Sequence, residues 1–133
     1  MYLELLSKKE QENFLELAKY SMSINGEEKK EEEAVFLSYK YECKLVDYKL
    51  SKQDQIDNII LNFKNSTKEV KRIILIELLA IFYSDGEVCE RETIFLLKLI
   101  KSFKIEEYEL NRLKRWVEAF NDMIKEGYSL ISK

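Results

Sequence analysis

Two of the three glycines in this 133-residue chain occupy matching places in a short run that occurs twice, 60 positions apart. The first run is INGEEKKEE over residues 24–32, and the second is SDGEVCERE over residues 84–92. Gly26 follows Asn25 and Gly86 follows Asp85, side chains that tolerate left-handed backbone and bond their own turn. Glu27 or Glu87 comes next, and a further glutamate, Glu32 or Glu92, stands six residues after each glycine. An apolar stretch of helical period precedes each run and another follows it. The pattern predicts two related helical hairpins, around residues 14–45 and 74–105, each bent at an acidic elbow.

Little else in the chain can turn it. With no proline and one glycine beyond those two, there are too few breakers for the many turns of an all-β fold. An all-α, compact bundle of about six or seven helices follows. At this length residues 1–133 make one domain, able to bury roughly two thirds of the unfolded surface. A composition of 46% hydrophobic and 35% charged residues belongs to a globular chain, because disorder needs less apolar content or a much larger net charge.

Composition also excludes several function classes. The chain has no histidine, which removes histidine triads, histidine zinc sites and the Glu-x-x-His di-iron bundle. A net charge of -3 gives no broad electrostatic reason to bind nucleic acid. Lys98, Lys101, Lys104, Arg112, Lys114 and Arg115 form the densest basic stretch, but Glu106, Glu107 and Glu109 dilute it. Cys43 and Cys89 form neither a CxxC pair nor a disulfide framework, and no signal-peptide pattern precedes them, so the expectation is reduced thiols in a cytoplasmic protein. No apolar stretch reaches the roughly 18 to 20 residues that cross a bilayer. The closest, residues 73–82, is interrupted by Glu77.

Periodicity places the helices. Phe14, Leu17, Ala18 and Ile24 give a first helix from about Lys8 to Ser23, and a second starts near Lys29 with Ala34, Leu37, Tyr41 and Leu45 on one side. Ser51 and Asp54 suggest a cap before a third helix through Ile56, Ile59, Ile60 and Phe63. Ser66 with Glu69 reads as a capping box opening a fourth helix, apolar almost all round and so expected at the centre. Ile94, Leu97, Ile100 and Phe103 define the fifth. Leu110, Leu113, Val117, Phe120 and Ile124 define the sixth, with Gly127 as its C-cap and Trp116 at the core or its edge. The apolar segments 1–6 and 128–131 are expected to dock, in no specified form.

The second elbow has two chemical readings. In one it is a structural corner, with Asp85 bonding turn amides, Gly86 supplying positive φ and Glu92 acting as the N3 carboxylate of a helix that Cys89 caps. In the other, Asp85, Glu87 and Glu92 converge on a hard divalent cation such as Ca²⁺ or Mg²⁺, which prefers oxygen ligands and offsets carboxylate repulsion. The spacing is not that of an EF-hand, which needs alternating aspartates and a glutamate at the twelfth position. The first elbow, with Asn25 for Asp85 and Lys29 for Cys89, is the poorer candidate.

An apolar helix, then Asp85-Gly86-Glu87, then Glu92, then a second apolar helix resembles the TerB-like, or tellurite-resistance TerB, family over about residues 14–120. The resemblance implies an all-α core with paired helical halves, and acidic domains that bind metal or act as cytoplasmic interaction modules, in some cases in stress, phage or membrane-associated systems. It implies a metal site at Asp85, Glu87 and Glu92, with Asn25, Glu27 and Glu32 as the weaker counterpart. Asn25 departs from the pattern by removing a carboxylate, and Cys89 departs by standing where a small hydroxyl residue commonly caps the helix. The function expected on these grounds is a non-enzymatic module with an unidentified protein partner and a protein-interaction or stress-response role. The alternatives are a metal-dependent hydrolase with Asp85 and Glu92 as ligands and Glu87 as base, or nucleic-acid binding through the basic stretch.

Overall fold

The computed structural model describes residues 1–24, 30–84 and 88–132. Among them are six α-helices and no strand: α1 (Lys8–Met22), α2 (Lys30–Glu42), α3 (Ile56–Lys64), α4 (Lys68–Phe82), α5 (Glu90–Phe103) and α6 (Glu107–Ile131). Short 3-10 turns at Leu3–Leu5 and Gln53–Gln55 precede α1 and α3. No helix among the described residues is long and apolar enough to cross a membrane.

α4 is the central rod of this helical bundle, packed against α1, α2, α3, α5 and α6. Its apolar run explains the position: Ile73, Ile74, Leu75, Leu78, Leu79, Ile81 and Phe82 are all buried, which requires neighbours on every side. α3 is amphipathic and buries the expected Ile56, Ile59, Ile60 and Phe63. α1 buries Phe14, Leu15, Leu17, Ala18, Ser21 and Met22. Phe14 meets Tyr39 of α2 edge-on, with ring centroids 5.3 Å apart, and the Tyr39 hydroxyl donates to the Glu77 backbone carbonyl at 2.6 Å. One residue thereby ties α2 to both α1 and α4.

The helix ends show how local chemistry overrides a simple stripe. α1 opens with a capping box absent from the sequence reading: Ser7 Oγ accepts from Glu10 N–H at 3.2 Å, and Glu10 Oε1 accepts from Ser7 N–H at 2.8 Å. α4 is capped by Thr67, whose Oγ1 accepts from Val70 N–H at 3.2 Å, so the expected Ser66–Glu69 box is displaced by one residue. Ser51 caps nothing; its N–H instead donates to Glu16 Oε2 at 2.9 Å. The 3-10 turn before α3 begins without a side-chain cap.

Two expected faces are rotated. α2 turns Glu32, Val35, Phe36 and Tyr39 toward the core, followed by Cys43, while Ala34, Leu37 and Tyr41 are exposed. α5 buries Phe95, Leu96, Leu99, Ile100 and Phe103 and leaves Ile94 and Leu97 in solvent. In both helices the spacing of three matched a real apolar stripe, but a second stripe one residue away is the one that packs. Gly127 is not a C-cap: α6 runs through it to Ile131 and ends at Ser132.

α2 and α5 end alike. Lys44 and Lys104, 60 positions apart, both have left-handed φ, at 57° and 56°. Leu45 N–H donates to the Lys40 carbonyl at 2.8 Å and Ile105 N–H to the Ile100 carbonyl at 2.9 Å. These are the six-to-one bonds of a Schellman cap. Segment 1–6 does dock, with Leu3 and Leu6 buried, whereas 128–131 is helical and stands in solvent.

Candidate functional site

The second elbow joins two precisely placed ends. α4 stops at Phe82, where Tyr83 N–H donates to the Leu79 carbonyl at 2.9 Å and Ser84 N–H to the Ile81 carbonyl at 3.1 Å. α5 starts after Cys89, whose extended backbone (φ -77°, ψ 167°) presents its N–H to Glu92 Oε1 at 2.9 Å. Glu92 is buried and occupies the N3 position, where its carboxylate both satisfies this donor and complements the helix dipole. The Thr93 hydroxyl donates to the Cys89 carbonyl at 3.2 Å, completing the first turn.

Of the six predicted site residues, Glu92 and Glu32 are described, and both are buried in the first turn of their helices. Asp85 and Glu87, and in the first elbow Asn25 and Glu27, lie outside the described residues, as do Gly26 and Gly86. Among the described residues no group of three or more cysteine, aspartate or glutamate side chains is arranged to hold a metal ion.

Two buried carboxylates that sequence reasoning did not select organise the molecule instead. Glu16, on α1, accepts from the Tyr48 hydroxyl at 2.6 Å, Ser51 N–H at 2.9 Å, Lys52 N–H at 3.1 Å and Gln53 Nε2 at 2.7 Å. Burial is the largest single influence and works against its ionisation, but these four donors together hold the carboxyl below its ordinary value. Burial, and then the same contact, push the Tyr48 phenol up to about 12.

Glu77, on α4, accepts from Tyr2 N–H at 3.0 Å and lies 3.1 Å from the Met1 ammonium, which also pairs with Glu42 at 2.6 Å. Glu42 takes Leu3 N–H as well, at 2.8 Å. The available signal was a lone acid inside an otherwise apolar helix, which burial permits only with partners. Cys43 beside this group is a free, buried thiol, pushed up to about 11 chiefly by burial and then by Glu42. It is therefore poorly nucleophilic. Lys8 Nζ donates to the Cys43 carbonyl.

Among the described residues, α6 carries more exposed large apolar side chains than any other helix. Leu110, Leu113, Val117, Phe120, Ile124, Gly127 and Ile131 recur at alternating spacings of three and four. Leu110 and Val117 are buried, Leu113 and Phe120 partly so, and α4 covers this half. Asn121 Nδ2 donates to the Tyr83 carbonyl at 3.3 Å. Past Asn121 the apolar face emerges: Met123 is 70% exposed, Tyr128 69%, Leu130 64% and Ile131 82%. Trp116, at the edge of the core as expected, stacks on Phe120 with centroids 5.5 Å apart and an interplanar angle of 18°. It continues the same surface.

The basic residues make no comparable feature: Lys98 lies 3.4 Å from Asp57 on the surface, and Lys104 is the left-handed cap. Comparison with protein-family models, with curated proteins and with solved structures gives no match to this chain.

Proposed function

We propose that this chain is a non-enzymatic, TerB-like helical interaction module that acts in the cytoplasm through the apolar face of α6. The observation that carries this reading is the emergence of four large apolar side chains, at Met123, Tyr128, Leu130 and Ile131, on one helix beyond the bundle that buries its first half. Exposed apolar surface concentrated in this way marks contact surfaces, whereas scattered single residues do not. Support for the TerB-like reading comes from the all-α bundle and from the order helix, acidic elbow, helix around residues 84–92. Support for the compartment comes from two free cysteines.

In this proposal the second elbow is a structural corner, a reading supported by Glu92, whose buried carboxylate serves the Cys89 N–H. A crosslinking survey tests the module: adducts formed by the wild type and lost in Met123→Ser/Tyr128→Ser/Ile131→Ser support it, and equal adducts from both overturn it. Thermal unfolding in chelator and then in Ca²⁺, Mg²⁺ or Mn²⁺ tests the corner. An ion at about a hundred times its dissociation constant would add roughly 2.7 kcal/mol. The expected result is no shift, and a rise that Glu92→Gln abolishes would make the elbow a cation site.

A further inference from the structure

We propose that the occupant of the free half of α6 is a second copy of the chain, the two helices pairing antiparallel about a two-fold axis; this inference rests on the interaction-module reading. The seam itself is a heptad. Positions 110, 113, 117, 120, 124, 127 and 131 keep the three-four alternation that faces one side of a helix toward a partner helix, and α4 occupies only the first half. The flanks of the free half are Asn121, Met123, Tyr128 and Leu130, all uncharged, while Asp122, Lys125 and Glu126 lie on the other side. A partner of opposite charge therefore has nothing to read on this face. A second uncharged apolar helix meets it without like-charge repulsion, and this chain supplies one.

Shape points the same way. Antiparallel packing sets each first-type seam position against a second-type position of the partner, which places Ile124 against the partner's Gly127, and Phe120 against the partner's Ile131. A branched side chain then fills the gap a glycine leaves. Among the described residues nothing else accounts for Gly127: a Cβ there would meet nothing within 4 Å, and its backbone is helical. Glycine in a helix interior costs about 1 kcal/mol relative to alanine, and within one copy nothing offsets that cost. Close approach of a second helix does.

Five apolar side chains per copy, Met123, Ile124, Tyr128, Leu130 and Ile131, would cover about 1,000 Å² in total, the lower bound for a specific and reversible contact. A membrane surface fits less well. Interfacial helices carry a lysine- and arginine-rich polar face, and residues 122–132 hold one lysine against an aspartate and a glutamate.

Sedimentation equilibrium of the purified protein, from about 1 µM to 1 mM, gives the first test. The expected result is a concentration-dependent rise from 15.9 kDa toward twice that mass. Gly127→Glu is the decisive variant, because glutamate suits an isolated helix and sets an unpaired charge against the partner's Ile124. It should raise or preserve the melting temperature at low concentration and hold the protein at the single-copy mass. In a Cys89→Ser background, mixing Ile124→Cys with Gly127→Cys protein under mild oxidation should give mainly the mixed disulfide, which reports the antiparallel register. A single-copy mass throughout overturns the inference. So does a Gly127→Glu protein that associates like the wild type, or a single-copy protein that binds phosphatidylcholine–phosphatidylserine vesicles. If the protein stays single while the crosslinked adducts of the preceding experiment persist, the second copy is rejected and the interaction module stands.

Discussion

α1 and α4 each bury one carboxylate in mid-helix, and the two carboxylates do different work. Glu16 holds an internal segment: residues 43–55, between α2 and α3, lack α-helical structure, and two of their backbone N–H groups end on this side chain. Glu77 holds residues at the start of the chain, through an ammonium group and one backbone N–H. After α5 no such segment exists, because Lys104, Ile105 and Glu106 lead straight into α6. The contrast identifies what these acids are for. Irregular backbone packed against a core must find acceptors for its N–H groups, and a buried carboxylate can take several at once.

The largest expected effect tests that distinction directly. Glu16→Ala leaves the Tyr48 hydroxyl, two backbone N–H groups and the Gln53 amide without their acceptor, and should lower the unfolding free energy by about 3–5 kcal/mol. Glu77→Ala should cost about 1–3 kcal/mol, because the Met1 side of its contact is partly exposed and recovers water when released. Urea denaturation of the two variants measures the difference. A larger loss at Glu77 would break the comparison.

Acid titration sharpens it. The hydrogen bonds to Glu16 outweigh burial and place its folded pKa below the unfolded value, so its contribution is present above the ordinary carboxylate range, near pH 4. That contribution disappears as pH falls through the folded value. Glu109 acts in the same direction on the surface, lowered first by its hydrogen bond from Arg72 at 2.8 Å. Stability should therefore fall between about pH 5 and pH 2. Glu16→Gln should flatten the fall more than Glu109→Gln, because Arg72 is 44% exposed and solvent screens its pair with Glu109. Equal flattening would mean that the anchor at residues 48–53 adds nothing beyond a surface pair.

The same residues show where sequence reasoning reaches its limit. α3 and α4 were legible because their apolar positions admit one phase or every phase: four residues on one face, or a run wide enough to be buried all round. α2 was not, since its core face includes Glu32 and Tyr39 while Leu37 and Tyr41 point outward. An apolar count is blind to a buried acid. α5 failed for the opposite reason, offering two adjacent apolar stripes of which only the one through Phe95, Leu99 and Phe103 packs. Gly127 looked like a stop because its helical cost is local, but a 25-residue helix anchored on α4 absorbs about 1 kcal/mol. At the elbow the capping role of Glu92 was legible from its three-residue distance to Cys89. The anchoring roles of Glu16 and Glu77 were not, because their partners lie 32 to 76 residues away in sequence.

The smallest effect concerns the last turns of α2 and α5, which share one cap geometry. Left-handed backbone costs an ordinary residue about 1–2 kcal/mol, and glycine avoids that cost while losing about 0.5–1 kcal/mol through its freer unfolded state. Lys44→Gly and Lys104→Gly should each therefore stabilise the fold by about 0.5–1 kcal/mol. Alanine at either site, with no relief of φ, should not. The shared bonds, Leu45 N–H to Lys40 at 2.8 Å and Ile105 N–H to Ile100 at 2.9 Å, predict equal gains. The inner bonds differ, at 3.0 Å from Lys44 N–H to Tyr41 and 3.4 Å from Lys104 N–H to Lys101. A larger gain at position 104 would show that the looser inner bond sets the two caps apart. Chemical denaturation of both variants separates the cases. Equal gains make α2 and α5 end in one and the same cap, and a gain at one site alone makes them two different caps.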